Sequence, residues 1–230
     1  MNEIQETSEF LDSLHPKFFA LDEEKRGRII NAAMAEFLHG FAQAKTDNIV
    51  KEAGISKGLL FHYFGTKENL YDFLIDYAID TIRAEFIEMI NPRQPDILDS
   101  VWQMSLLKQD ISRRFPAMFD FITSTYLDTR HSMNPVQAAH VVKFTQLRDK
   151  VLAESFEHCD KSLFRDEIDP QKAIKIIMWS LAGYAEEMTA EAKAAGLSTV
   201  GSEARENYDR YLSEFRDYLN ILRTCIYKPN

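Results

Sequence analysis

The stretch Lys45-Thr46-Asp47-Asn48-Ile49-Val50-Lys51-Glu52-Ala53-Gly54-Ile55-Ser56-Lys57-Gly58-Leu59-Leu60-Phe61-His62-Tyr63-Phe64 reads as two short helices joined by a sharp turn. Ile49, Val50 and Ala53 fall on one face of the first helix at helical spacing. Gly54 follows its last residue, where a left-handed backbone lets the chain turn. Ile55 can plug the junction. Ser56 is a good N-cap for the second helix. Leu60 and Phe64, four apart, face inward. That leaves Lys57, Gly58, Leu59, Phe61, His62 and Tyr63 for the outer face. A lysine for phosphate, a glycine that admits close approach, and His and Tyr that can donate to phosphate or base edges suit a helix lying in a major groove. Lys45 and Thr46 open the first helix, where free N–H groups favour phosphate.

Working outward, the pattern stays helical. Apolar residues recur at three and four, and period-two alternation is nearly absent. Upstream, Leu14, Phe18 and Phe19 can form a short helix against this region. A helix from about Asp22 carries Ile29, Ile30, Ala33, Met34, Phe37, Leu38 and Phe41, with acids in its first turn and Gly40 at its end. Downstream, Gly65-Thr66-Lys67 opens a long helix through Leu70, Phe73, Leu74, Tyr77, Ile82, Phe86 and Met89, so Lys67 can clamp a nucleic-acid backbone from the other side. Asn91-Pro92 and Pro95 stop it. Further helices are expected over about 96–114, 116–130, 135–159, 170–195 and 204–227, several opened by a proline, where that residue costs least. The expected fold is all-α, with nine main helices.

Charge is uneven. The chain of 230 residues has a net charge of −9, so it is no basic coat for nucleic acid. Residues 17–67 hold eight Lys/Arg against six acids, a net of +2, and the remainder therefore sums to −11. A mildly basic segment on an acidic body fits a protein presenting one face to a polyanion. The start of the sequence lacks a basic, apolar secretory signal, and no apolar run approaches the roughly 20 residues that span a bilayer. Two cysteines, Cys159 and Cys225, suggest no disulfide framework. A cytoplasmic setting without membrane attachment is the expectation.

Ile49 to Gly58, Phe61-His62-Tyr63-Phe64, Lys67-Glu68 and Leu70 together resemble the amino-terminal domain of TetR-type repressors, over about residues 22–82. The resemblance implies an extension over 1–21, a three-helix DNA-binding head over 22–82 with its helix-turn-helix at 45–64, and a larger helical ligand-binding and dimerisation domain over 83–230, joined through the long helix. It implies DNA contacts from Thr46, Lys57, Gly58, Phe61, His62, Tyr63 and Lys67. Lys45, Ser56 and Leu59 join that set from their places on the two helices. Leu59-Leu60-Phe61 departs from the family, whose members often carry a small or polar residue at 59 and tyrosine at 61. Leu59 suits a thymine methyl or no base contact.

For the rest of the chain, Trp102, Phe115, Met118, Phe119, Ile122, Tyr126, Phe144 and Trp179 are candidates to line an apolar effector pocket. Each also suits an ordinary core. Arg130 and Arg148 could pair with an anionic effector if they turn inward. Gly183 and Glu187 on one late helix, and Tyr208, Tyr211, Phe215 and Tyr218 on the last, are candidates for a dimer interface of four helices across a two-fold axis. The implied partners are a palindromic operator, a second copy and an unidentified small molecule, with no cofactor. No phosphate-binding loop or nucleophile elbow occurs. Glu36-x-x-His39 has the spacing of half a di-iron site, without a second copy, so no metal site and no enzyme is expected. A helical protein that keeps the head only as packing, a helical-bundle enzyme, and a head that recruits another protein are the alternatives.

Overall fold

The computed structural model describes residues 15–229 except 88, 133–141, 143–145, 147–149, 152 and 195–200. Nine named α-helices are α1 (Pro16–Phe19), α2 (Glu23–Phe37), α3 (Thr46–Ala53), α4 (Lys57–Phe64), α5 (Lys67–Ile82), α6 (Ile97–Arg114), α7 (Pro116–Ser132), α8 (Pro170–Ala194) and α9 (Ser202–Ile226). Within the expected 135–159 helix, the described residues 153–158 are helical. Among the described residues the only β pairing is one bridge between Phe164 and Tyr227, so the fold is all-α.

The described residues form two compact units. The first holds α1 to α5 and α7; the second holds α6, α8 and α9. Placing α7 with the head departs from a carboxy-terminal domain running unbroken from residue 83. Within the first unit α7 packs on α2 and α5. Phe121 is fully buried, its ring meets Tyr71 of α5 edge-on at 5.6 Å, and the Tyr71 and Thr125 hydroxyls lie 3.4 Å apart.

In this unit Ile29, Ala33, Met34 and Phe37 of α2 meet Ile49 and Ala53 of α3, Leu60 and Phe64 of α4, and Leu70, Phe73 and Leu74 of α5 in a core of buried side chains. Burial of such side chains is worth roughly 1.5–3 kcal/mol each. α2 starts where Asp22 accepts the Lys25 N–H at 2.8 Å, and Glu23 and Glu24 complement its dipole. The short α1 docks as expected. Phe18 is fully buried among Tyr63, Phe64 and Phe73, and the Arg26 guanidinium donates to the Phe19 and Leu21 carbonyls, each at 2.7 Å. The helix from Lys67 does not run unbroken to Met89. Its α-helical part ends at Ile82, and a π-helical turn covers Arg83–Ile87. Such a turn shifts the apolar phase by one residue, too small a change to separate from helical spacing over a single turn.

The second unit buries Ile97, Leu98 and Val101 of α6 against Ala173 and Ile177 of α8 and Leu212, Phe215 and Leu219 of α9. Polar clasps fix α6 antiparallel to α9. Asp96 caps α6 by accepting the Leu98 N–H at 2.9 Å, and it also accepts from Arg223 and, at 3.0 Å, from the Tyr227 hydroxyl. Arg223 reaches Asp99 as well, at 2.6 Å. At the other end Asp209 accepts from Gln109 at 2.5 Å and Arg113 at 2.7 Å.

Candidate nucleic-acid interface

The turn between α3 and α4 is made as its residue types dictate. Gly54 is left-handed, with φ 66° and ψ 38°. Its N–H donates to the Lys51 carbonyl at 3.3 Å, and the Ile55 N–H to Val50 at 3.0 Å, closing the end of α3. Ser56 Oγ accepts the Leu59 N–H at 3.2 Å and starts α4. Thr66 does the same for α5, accepting from Asn69 at 3.1 Å. Ile49, Ala53, Leu60 and Phe64 are buried, which turns the opposite side of α4 outward.

The outer residues of α4 divide in two. Lys57, Gly58 and His62 are exposed; Leu59, Phe61 and Tyr63 are half-buried. Tyr63 is held edge-on by Phe18 at 5.7 Å and by His62 at 5.7 Å. A Cβ built on Gly58 would meet nothing within 4 Å, so packing inside the head does not demand glycine there. Lys57 Nζ lies 2.8 Å from Asp47 Oδ1, an ion pair that ties the first turn of α4 to that of α3. Lys67, half-buried at the start of α5, sets its ammonium over the Phe41 ring at 4.7 Å, a cation–π contact that aims the side chain. Thr46 is half-buried; Lys45 and Ser56 are exposed.

Sequence reasoning missed Glu36. Lys45 occupies the N-cap of α3 and makes no side-chain cap. The Glu36 carboxylate supplies it from α2, accepting the Lys45 N–H at 2.8 Å and the Asn48 side-chain amide at 3.1 Å. The available signal was the mismatch of a lysine at a position that wants a short polar side chain. Glu36 is thus committed to the start of α3, where its carboxylate already holds the N–H of the N-cap residue. His15, also unassigned from sequence, sets its ring 4.9 Å from Phe73 and 5.6 Å from Phe64. Burial pushes its imidazole below the ordinary histidine value, against a smaller opposing hydrogen bond with the Tyr63 backbone.

A family model for bacterial regulatory proteins of the tetR family matches residues 29–73, from the middle of α2 into α5. Over that segment the chain is similar to regulators of the tetR family. The HTH-type transcriptional regulator PksA of Bacillus subtilis (strain 168) is 27% identical over 137 residues, which cover 57% of this chain and 64% of that protein. The HTH-type transcriptional repressor SCO4008 of Streptomyces coelicolor is 44% identical over 50 residues, 21% of this chain and 26% of that protein. The chain therefore spans less than two thirds of the length of these curated relatives. A TetR family transcriptional regulator from Chloroflexus aurantiacus J-10-FL, solved as a crystal structure, has a TM-score of 0.54 at 18% identity, covering 93% of this chain and 98% of that one. That likeness carries the fold.

Outside the matched segment, the pocket candidates scatter. Met118 is buried, and Phe115, Phe119 and Ile122 are half-buried, all in the first unit. Trp102, in the second unit, is half-buried beneath the Arg216 guanidinium at 5.2 Å. Tyr126 and Phe144, like Arg130 and Arg148, lie outside the residues whose side chains are described. Trp179 requires correction as a pocket residue: it is 71% exposed, because α8 turns Ala173 and Ile177 to the core and Ile176 and Trp179 away from it. The dimer candidates also divide. Gly183, Glu187, Phe215 and Tyr218 line a surface groove of about 340 Å³ between α8 and α9, with Tyr184 and Ile221. Tyr208 and Tyr211 instead serve their own unit. The Tyr208 hydroxyl donates to the Ser105 carbonyl of α6 at 3.4 Å, and Tyr211 is 6% exposed. Among the described residues no group of three or more His, Cys, Asp or Glu could hold a metal ion, and no helix is long and apolar enough to cross a membrane.

Proposed function

We propose that this chain is a cytoplasmic, non-enzymatic transcriptional repressor that binds a palindromic operator as a homodimer and is released by a small-molecule effector. The observation that carries the reading is the outer face of α4. It sets exposed Lys57, Gly58 and His62 beside half-buried Leu59, Phe61 and Tyr63, on a helix whose inner face is locked into the head. Ser56 caps that helix at the turn, Lys45 and Thr46 open α3, and Lys67 opens α5 beyond it. Lys57, Thr46, Tyr63 and Lys67 position the head on phosphates, while His62, Phe61 and Leu59 meet base edges. The repressor named among the relatives supports the direction of control.

The exposed apolar face of α8 and α9 supports the dimer. Ile176, Trp179, Tyr218 and Ile221 are 49%, 71%, 44% and 58% exposed, a patch that a second copy would cover in a four-helix packing. Two heads then read half-sites about one DNA turn apart. The effector is apolar and adaptable in shape, matched to Met118, Phe119 and Ile122 on α7. Because α7 also packs on α2 and α5, an effector that prefers one placement of α7 would shift the population of head positions.

Band shifts on duplex DNA from upstream of the chain's own gene test this. Wild type should bind with affinity that falls steeply as salt rises. Lys57→Ala with His62→Ala, both exposed positions, should weaken binding at least about tenfold with thermal unfolding unchanged, since each phosphate or base contact is worth about 1–3 kcal/mol. Equal binding by wild type and the double variant would refute the assignment of α4.

A further inference from the structure

The assigned phosphate contact at Lys57 already has an anion on it. Lys57 Nζ sits 2.8 Å from the Asp47 carboxylate. The pair links the two helix starts at the surface, but it is not what closes the turn between them. The two side chains are 50% and 72% exposed, and the turn between their helices is closed independently by Gly54, Ile55 and Ser56. Nor is Asp47 needed to cap α3, because Glu36 accepts the Lys45 N–H. A solvent-exposed carboxylate that neither closes the turn nor caps α3 therefore occupies the ammonium that the DNA reading gives to a phosphate.

We infer that Asp47 is a built-in competitor for DNA phosphate at Lys57, an affinity-setting residue that restrains sequence-independent binding. The inference rests on the DNA-binding reading above. In the free head the ammonium is neutralised locally. On DNA, a phosphate must displace the carboxylate or share the ammonium with it, and two anions around one cation repel at close range. Binding to random sequence consists almost wholly of such phosphate terms, so it bears the full penalty. A cognate site adds base-edge contacts that Asp47 does not oppose. The charge count agrees with restraint, because the head segment is only +2 on a chain of −9.

The experiment is a two-by-two set: wild type, Asp47→Asn, Lys57→Ala and the double variant. Each is titrated by fluorescence anisotropy onto a random-sequence duplex of about three helical turns, between about 50 and 200 mM salt. Asp47→Asn should bind about three- to tenfold more tightly, and its slope of log affinity against log salt should steepen by about one, the share of one phosphate contact. In the Lys57→Ala background the same substitution should have little effect. Unchanged or weaker binding by Asp47→Asn overturns the inference, as does an equal gain with and without Lys57, which would make Asp47 a general surface charge. If wild type binds no duplex in a salt-dependent way, the DNA reading fails and this inference with it. That outcome is distinct from a wild type that binds and a variant that does not gain. Thermal unfolding of all four checks that the heads remain folded.

Discussion

His15 shows how much one side chain can tie a flanking segment to α4. Its imidazole packs on Phe64 and Phe73, while Phe18, three residues on, is fully buried against the same rings and Tyr63. Burial lowers its proton affinity in the folded chain. The unfolded chain then binds a proton more readily than the folded one below the ordinary histidine value of 6.5. Stability from this contact is therefore fully present above about pH 6.5 and falls as pH drops through it. The melting temperature of wild type should decline between about pH 7 and 5. His15→Gln, which does not titrate, should show a smaller decline over the same range. Parallel pH profiles for the two proteins would show that His15 contributes no linkage.

Among the elements, α3 is the one whose start depends on another helix. Its N-cap is Lys45, which makes no side-chain cap, and the Glu36 carboxylate of α2 takes its place. Glu36→Ala should destabilise the head by about 1 kcal/mol, the usual worth of an N-cap. Adding Lys45→Thr should recover most of that loss, because threonine can cap α3 from within. Urea unfolding of both variants measures this, and a Lys45→Thr change that leaves the Glu36→Ala deficit untouched would show that Glu36 acts otherwise. The contrast explains what the sequence could tell. Gly54, Ser56 and the apolar spacing of α2 to α5 act within a few residues of themselves, so their elements were legible. Glu36, the π-helical turn at Arg83–Ile87, the docking of α7 on α2 and α5, and the inward turn of Tyr208 and Tyr211 all depend on partners distant in sequence or on backbone geometry that residue type does not encode. The site was legible to the same degree. The outer face of α4 followed from its inner face, but the Asp47–Lys57 pair required the two helices to be placed.

For the whole molecule, the decisive quantity is how many copies act together. A single reading helix offers only a few base contacts, each worth about 1–3 kcal/mol. Two linked heads make the second contact intramolecular and gain affinity without any new residue. The proposed dimer face lies on the second unit. Trp179 and Ile221 are more exposed than core-forming residues of α8 and α9 such as Ile177 and Leu219, and Ile221 lines the groove with Gly183 and Tyr218. Both side chains are mostly exposed, so charged replacements should leave the monomer folded. Trp179→Arg with Ile221→Asp should convert a dimer to a monomer in sedimentation velocity, with helical content by circular dichroism unchanged. The monomer should retain weak, salt-dependent binding to random duplex, because its head is intact, and should lose preference for a palindromic duplex over a half-site. A variant that stays dimeric would place the interface elsewhere. A wild type that is monomeric at micromolar concentration would mean that the exposed face of α8 and α9 does not pair with a second copy, and that each head reads DNA alone.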